Sequence, residues 1–143
     1  MKKLLIFPLF LSALISFGQE LSCDDFKEGE FISSMTEPVK IEWKIVREGS
    51  SQIEIPGVLP DELKGTDFPM NPRYGIIEWI DDCTYKLTYD STKSELTDMQ
   101  KMVNQLGGFI NEMVKIEGNC FFYKSTLKYN GGEQSIEGKF CKE

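Results

Sequence analysis

The sequence predicts a mainly β protein: an eight-stranded antiparallel meander, curled into a small barrel, with one amphipathic helix before its last three strands. Three observations carry this. Short alternating apolar segments recur along the chain, separated by turn residues. The stretch Phe109 to Cys141 holds two two-residue hairpin turns, Gly118-Asn119 and Asn130-Gly131, which fix the register of three strands. That register sets Cys120 opposite Cys141 in a non-hydrogen-bonded pair, within disulfide reach. An open antiparallel sheet with the helix laid across it satisfies the same pattern. The two architectures differ in what covers the meander's apolar face.

The opening stretch, MKKLLIFPLFLSALISFGQE, has two lysines, an apolar run from Leu4 to Phe17, and small residues at Ser16 and Gly18. This is the pattern of a secretory signal peptide over residues 1–18, cleaved after Gly18 or Gln19, and it leaves one domain over 20–143. The run is short for a membrane span. A lipid anchor on Cys23 would need that cysteine to follow the apolar run directly, and Gln19-Glu20-Leu21 intervene. The protein is therefore expected outside the cytoplasm, periplasmic or extracellular, as a monomer.

Composition removes several function classes. The net charge is −7, and loss of Lys2 and Lys3 with the leader makes the remainder more acidic still, which disfavours nucleic acids and anionic membranes as partners. There is no histidine, so Ser-His-Asp and Cys-His catalysis and every His-ligated metal site are excluded. No catalytic motif, metal or cofactor is assigned, and the chain is not expected to be an enzyme. Four cysteines in an exported chain imply two disulfides. The meander register favours Cys120–Cys141, which leaves Cys23–Cys83.

In chain order, Asp24 to Ser33 reads as a first strand with a bend at Gly29. Val39 to Arg47 alternates, with Ile41, Trp43 and Ile45 on one face. Glu48 to Ser51 is a turn, and Gln52 to Ile55 returns. Pro56 to Arg73 is a long proline-rich connection in which LPDELKG forms one helical turn. With Phe68 and Met70 beside two prolines, it is either a contact loop or lid, or an ordered insertion over one end of the sheet. Tyr74 to Ile80 and Thr84 to Tyr89 make a hairpin; a turn at Asp81-Asp82-Cys83 sets Trp79 against Tyr85 and Ile77 against Leu87. Asp90 to Gly108 is helical, with a capping box at Thr92 and Glu95. Leu96, Met99, Val103 and Leu106 form its stripe, read as core in preference to an adaptable binding face.

Strict alternation from the Gly118-Asn119 turn puts Ile116, Phe121 and Phe140 in one inner row. Val114, Tyr123 and Gly138 follow, then Glu112, Ser125 and Ile136, then Ile110, Leu127 and Gln134. The candidate site is the barrel interior, a pocket for a small apolar or amphipathic ligand. Ile110, Val114, Ile116, Phe121, Tyr123, Leu127 and Phe140 would form one wall, with Trp43 and Trp79 opposite. Glu112 and Ser125 would supply a polar patch, Glu112 either pairing with Arg47 or reaching a solvated rim. The alternative function is a protein-interaction or inhibitor module acting through residues 56–73, with Phe68 and Met70 as contacts.

Several of these residues also carry a resemblance. Cys23, Phe26, Lys27, Gly29 and Phe31, then Ile45 with Arg47, Gln52 with Glu54, and Trp79, Ile80, Cys83, Tyr85 and Leu87 resemble the landmarks of small exported proteins from Bacteroidetes-type bacteria. Some of those carry a topoisomerase IV label, to which a small, acidic, exported chain gives no support. The Pro56–Pro72 segment is longer than that pattern. Gly29-x-Phe31 also resembles the first strand of lipocalin-like domains, although Phe31 stands where they have Trp and their late Arg is missing. The second likeness implies barrel architecture and, by analogy, an interior ligand.

Overall fold

The computed structural model describes residues 20–35 and 40–143. The expected signal peptide, 1–18, lies outside them. Eight strands form one closed antiparallel barrel in chain order: β1 (Gly29–Met35), β2 (Ile41–Glu48), β3 (Ser51–Pro56), β4 (Arg73–Trp79), β5 (Thr84–Tyr89), β6 (Phe109–Glu117), β7 (Cys120–Tyr129) and β8 (Gly132–Lys142), with helix α1 (Asp98–Gln105) between β5 and β6. The far wall of the barrel, and not the helix, covers the meander's apolar face.

An up-and-down meander sends alternate connections to opposite ends. The tight turns after β2, β4 and β6 share one end with the N-terminal residues. The segments 57–72 and 90–108 and the β7–β8 turn share the other. The first end is closed by a short 3₁₀ turn, Cys23–Phe26, which seats the fully buried Phe26 among Phe31, Phe121 and Phe140 at centroid distances of 5.7, 5.3 and 5.8 Å. Each ring contributes roughly 2–3 kcal/mol of burial. Both disulfides lie at this end: Cys23–Cys83 ties the turn to the β4–β5 connection, and Cys120–Cys141 clasps β7 to β8. Lys142 N–H donates to Asn119 O at 2.9 Å just outside the Cys120–Cys141 rung, which marks it as the expected non-hydrogen-bonded pair.

The hairpins follow the turn chemistry. Trp79 pairs with Tyr85 and Ile77 with Leu87, while β7 and β8 hold Phe121 to Phe140, Tyr123 to Gly138 and Ser125 to Ile136. At both C-terminal turns the glycine alone takes positive φ, +60° at Gly118 and +103° at Gly131.

Four expectations are corrected. Asp24 to Phe26 belongs to the 3₁₀ turn, and β1 begins only at Gly29. The ladder between β6 and β7 slips at Met113/Lys115, a bulge that leaves Val114 without a partner. From there to Phe109 every side chain of β6 changes face, so Met113 and Asn111 face inward while Val114 and Glu112 are exposed. The helix starts at Thr97, whose hydroxyl accepts from Gln100 N–H while Gln100 Oε1 accepts from Thr97 N–H. Thr92 is held instead by the Asp90 carboxylate, which accepts from both its N–H and its hydroxyl, and this local turn competes with helix. Finally, the helical stripe is not core: Val103 is buried, but Met99 and Leu106 are exposed. α1 is instead pinned by Asn104, whose side-chain amide donates to Tyr89 O and accepts from Tyr89 N–H, both at 2.8 Å.

Candidate functional site: the open half of the barrel

The two halves of the lumen differ. The closed half is filled by the phenylalanine cluster with Ile45. The open half holds a cavity of about 380 Å³ lined by inward residues of β1 to β4, β7 and β8, including Ser33, Trp43, Glu54, Arg73, Tyr123 and Gly138. That volume is within the range of small-ligand sites. Phe68 and Pro69 of the proline-rich segment cap it, with the Phe68 ring 6.0 Å from Trp43. Of the expected contact pair, Phe68 is thus folded over the pocket, while Met70 is exposed.

The mouth follows from the register. β1 pairs with β8 only over Phe31–Ser33 and Phe140–Lys142. Beyond Ser33 the two strands pair no further, and Ser34 on one side with Ile136 and Glu137 on the other border the cavity. A second cleft, about 590 Å³, lies at the same end between Pro69–Tyr74, Tyr89 and Ser94–Gln100, and it shares Pro69 and Arg73 with the first.

A polar chain runs down the lumen into the closed half. Arg73 Nη2 meets Glu54 Oε2 at 2.9 Å, and its guanidinium lies 4.1 Å over the Trp43 ring. Gln52 Nε2 donates to Glu54 Oε1 at 2.9 Å, and Arg47 Nε donates to Gln52 Oε1 at 2.8 Å. Arg47, 2 % exposed, also donates to Phe26 O at 2.8 Å and to the Tyr85 hydroxyl at 2.6 Å. The guanidinium sits between the Tyr85 and Phe140 rings, 4.5 Å from each centroid. Alternation puts Arg47 with Ile45 and Arg73 with Ile77 on the inner face, and the β2–β3 register sets Gln52 opposite Arg47 and Glu54 opposite Ile45, so that the apolar Ile53 and Ile55 face outward.

Burial pushes the phenol of Tyr85 above its ordinary value, against the opposing pull of Arg47 beside it. Burial also raises Tyr123 and Tyr89, with Glu54 adding to both. All three stay neutral through the physiological range. Tyr123 fits because Gly138 stands opposite it: a Cβ there would lie 2.5 Å from the Tyr123 hydroxyl oxygen.

Of the residues expected at the site, Tyr123 and Phe68 line the cavity. Phe121 is fully buried in the phenylalanine cluster, Ser125 is buried opposite Asn111, and Trp79 packs on Tyr85 in the closed half at 5.0 Å. Arg47 is inward but lies below the cavity. The expected Glu112–Arg47 pair does not form, since the bulge turns Glu112 outward, opposite Lys124. The expected wall also loses Val114, which is 58 % exposed, and Ile110, which pairs with Thr126 on the rows facing away from Asn111. The Glu54–Arg73 pair was missed; its signal was the placement of both residues at inward positions on neighbouring strands. No family model, curated protein or solved structure matches the chain.

Proposed function

We propose that the protein is a binding module that holds a small apolar or amphipathic molecule in the open half of its barrel. One observation carries the reading: a buried phenylalanine cluster fills the inner face at the disulfide-bridged end, yet an open-mouthed space of about 380 Å³ lies beside Phe68 at the other. Trp43, Ile45, Phe68 and Tyr123 offer that space apolar and aromatic surface. Two disulfides, with no free cysteine, suit an oxidising compartment outside the cytoplasm, as the leader sequence suggests. A non-catalytic role fits a chain that has no histidine base and keeps every thiol in a disulfide.

The test is uptake of the neutral fluorophore N-phenylnaphthylamine, followed by emission and by native mass spectrometry. Saturable one-to-one uptake that is lost when Gly57–Pro72 is replaced by a short linker supports the pocket. Absence of uptake by the intact protein rules it out.

A second reading, an interaction or inhibitor module working through residues 56–73, is favoured by Val58, 92 % exposed, and Met70, 41 % exposed, on that segment. Inhibition of a panel of secreted proteases, lost on changing Val58 and Met70 to serine, supports it; no inhibition by the parent removes it.

A further inference from the structure

The charges inside the barrel are not balanced. Along the polar chain of the lumen, Arg47, Glu54 and Arg73 carry formal charge: two guanidiniums stand with one carboxylate, to which only Arg73 is paired directly. Both oxygens of that carboxylate already have a protein partner, Oε1 in Gln52 and Oε2 in Arg73. Arg73 is in the opposite condition. Only its Nη2 is engaged, and its Nε is buried without a hydrogen-bond partner. Arg73 therefore brings the cavity wall a cation whose donors are not all spent on protein acceptors.

We infer that the ligand carries a single anionic head, a carboxylate or an equivalent oxyanion, seated on Arg73, with its apolar body against Trp43, Phe68 and Tyr123. This rests on the binding function proposed above and names the ligand class. A guanidinium held 4.1 Å over an indole ring and tied to Glu54 is oriented in advance, and its planar fork matches a two-oxygen anion. Low-dielectric walls strengthen the attraction relative to water. The outer surface works the other way: the chain's net charge of −7 gives an anion little reason to bind elsewhere. Glu137 at the mouth is solvent-exposed and stands opposite Lys124 on the outer face.

The experiment displaces bound N-phenylnaphthylamine with decanoate, decanol and decylamine, which share one chain and differ in head charge. Decanoate should compete best, about tenfold or more ahead of decanol, with decylamine last. Arg73→Gln should bring decanoate to the level of decanol, read as the ratio of the two displacement constants within that variant. Glu54→Gln removes the competing carboxylate and should tighten decanoate. That variant keeps the test open if Arg73→Gln fails to fold. Equal competition by the three compounds, or a Glu54→Gln protein that binds decanoate no better than its parent, overturns the inference. Failure of the neutral probe to bind at all would instead overturn the binding function itself.

Discussion

Arg47 Nη1 donates to the backbone oxygen of Phe26 at 2.8 Å, so a buried cation on β2 holds the turn that closes the barrel. The bond gives the buried charge a role in the fold. A guanidinium inside a hydrophobic barrel is tolerated only when its donors find acceptors and its faces find rings. Here the acceptors are Phe26 O, Gln52 Oε1 and the Tyr85 hydroxyl, and the rings are those of Tyr85 and Phe140.

Arg47→Met should therefore destabilise by about 3 kcal/mol despite its apolar character, because it strands three buried polar groups. Arg47→Lys should also destabilise, since an ammonium cannot reproduce the planar fork. Urea denaturation of the oxidised proteins measures both. A Met variant within about 1 kcal/mol of the parent would show that Phe26 is held by ring packing alone.

The two disulfides should differ in weight. Cys23–Cys83 spans 60 residues and Cys120–Cys141 spans 21, so the chain-entropy relation gives about 4 kcal/mol for the first and about 3 kcal/mol for the second. Paired serine substitutions compared by denaturation check the order. A larger loss from the Cys120–Cys141 pair would mean that unfolded-state entropy is not what ranks them.

Gly138→Ala tests the wall of the cavity. The new methyl would fall on the Tyr123 ring and hydroxyl, so Tyr123 must tilt into the pocket or β8 must shift. The expected cost is about 1–3 kcal/mol, with weaker uptake of the neutral probe. Normal stability and normal uptake together would refute the close packing of Tyr123 on β8.

Alkaline pH should unfold the protein earlier than its carboxylates and lysines would suggest. Tyr85, Tyr89 and Tyr123 have folded-state pKa values raised above the ordinary 10.0. The folded state then holds protons that the unfolded chain releases, so their contribution is complete below pH 10.0 and is lost as pH climbs beyond it. Tyrosinate absorbance should rise later in the native protein than in denaturant, and together with loss of near-ultraviolet dichroism. Superimposable titrations would contradict the burial.

Legibility in the sequence divides sharply inside one strand. The β7–β8 register, the Cys120–Cys141 bridge and the β4–β5 turn could be read by counting outward from turn residues, because a ladder has no freedom once its turn is fixed, and Cys23–Cys83 then followed by elimination. On β6 the same counting held at Ile116 and failed past Val114, since one extra residue inverts the faces without altering composition. A trace was present: Phe109 and Met113 share one parity and Ile116 the other, and strict alternation forced Glu112 inward. The helix was overextended because Asp90-to-Thr92 and Thr97-to-Gln100 offer similar start signals, and only tertiary docking through Asn104 selects the second. The cavity could not be read at all. Whether eight strands enclose space or fill it depends on side-chain volumes summed across the barrel, which no single strand records.

The seam between β1 and β8 joins parts of the chain that are far apart; Ser33 Oγ donates to Lys139 O across a separation of 106 residues. A polypeptide made from its N-terminus must hold its first strand unsatisfied on one edge until its last strand exists. The Cys23–Cys83 bond offers a way to wait: once the β4–β5 hairpin has appeared, oxidation can tether the segment leading into β1 beside its eventual place. In this view the order of thiol oxidation sets the order of assembly. An early crosslink gathers the beginning of the chain, and the Cys120–Cys141 clasp stiffens the strand that arrives last to complete the ring.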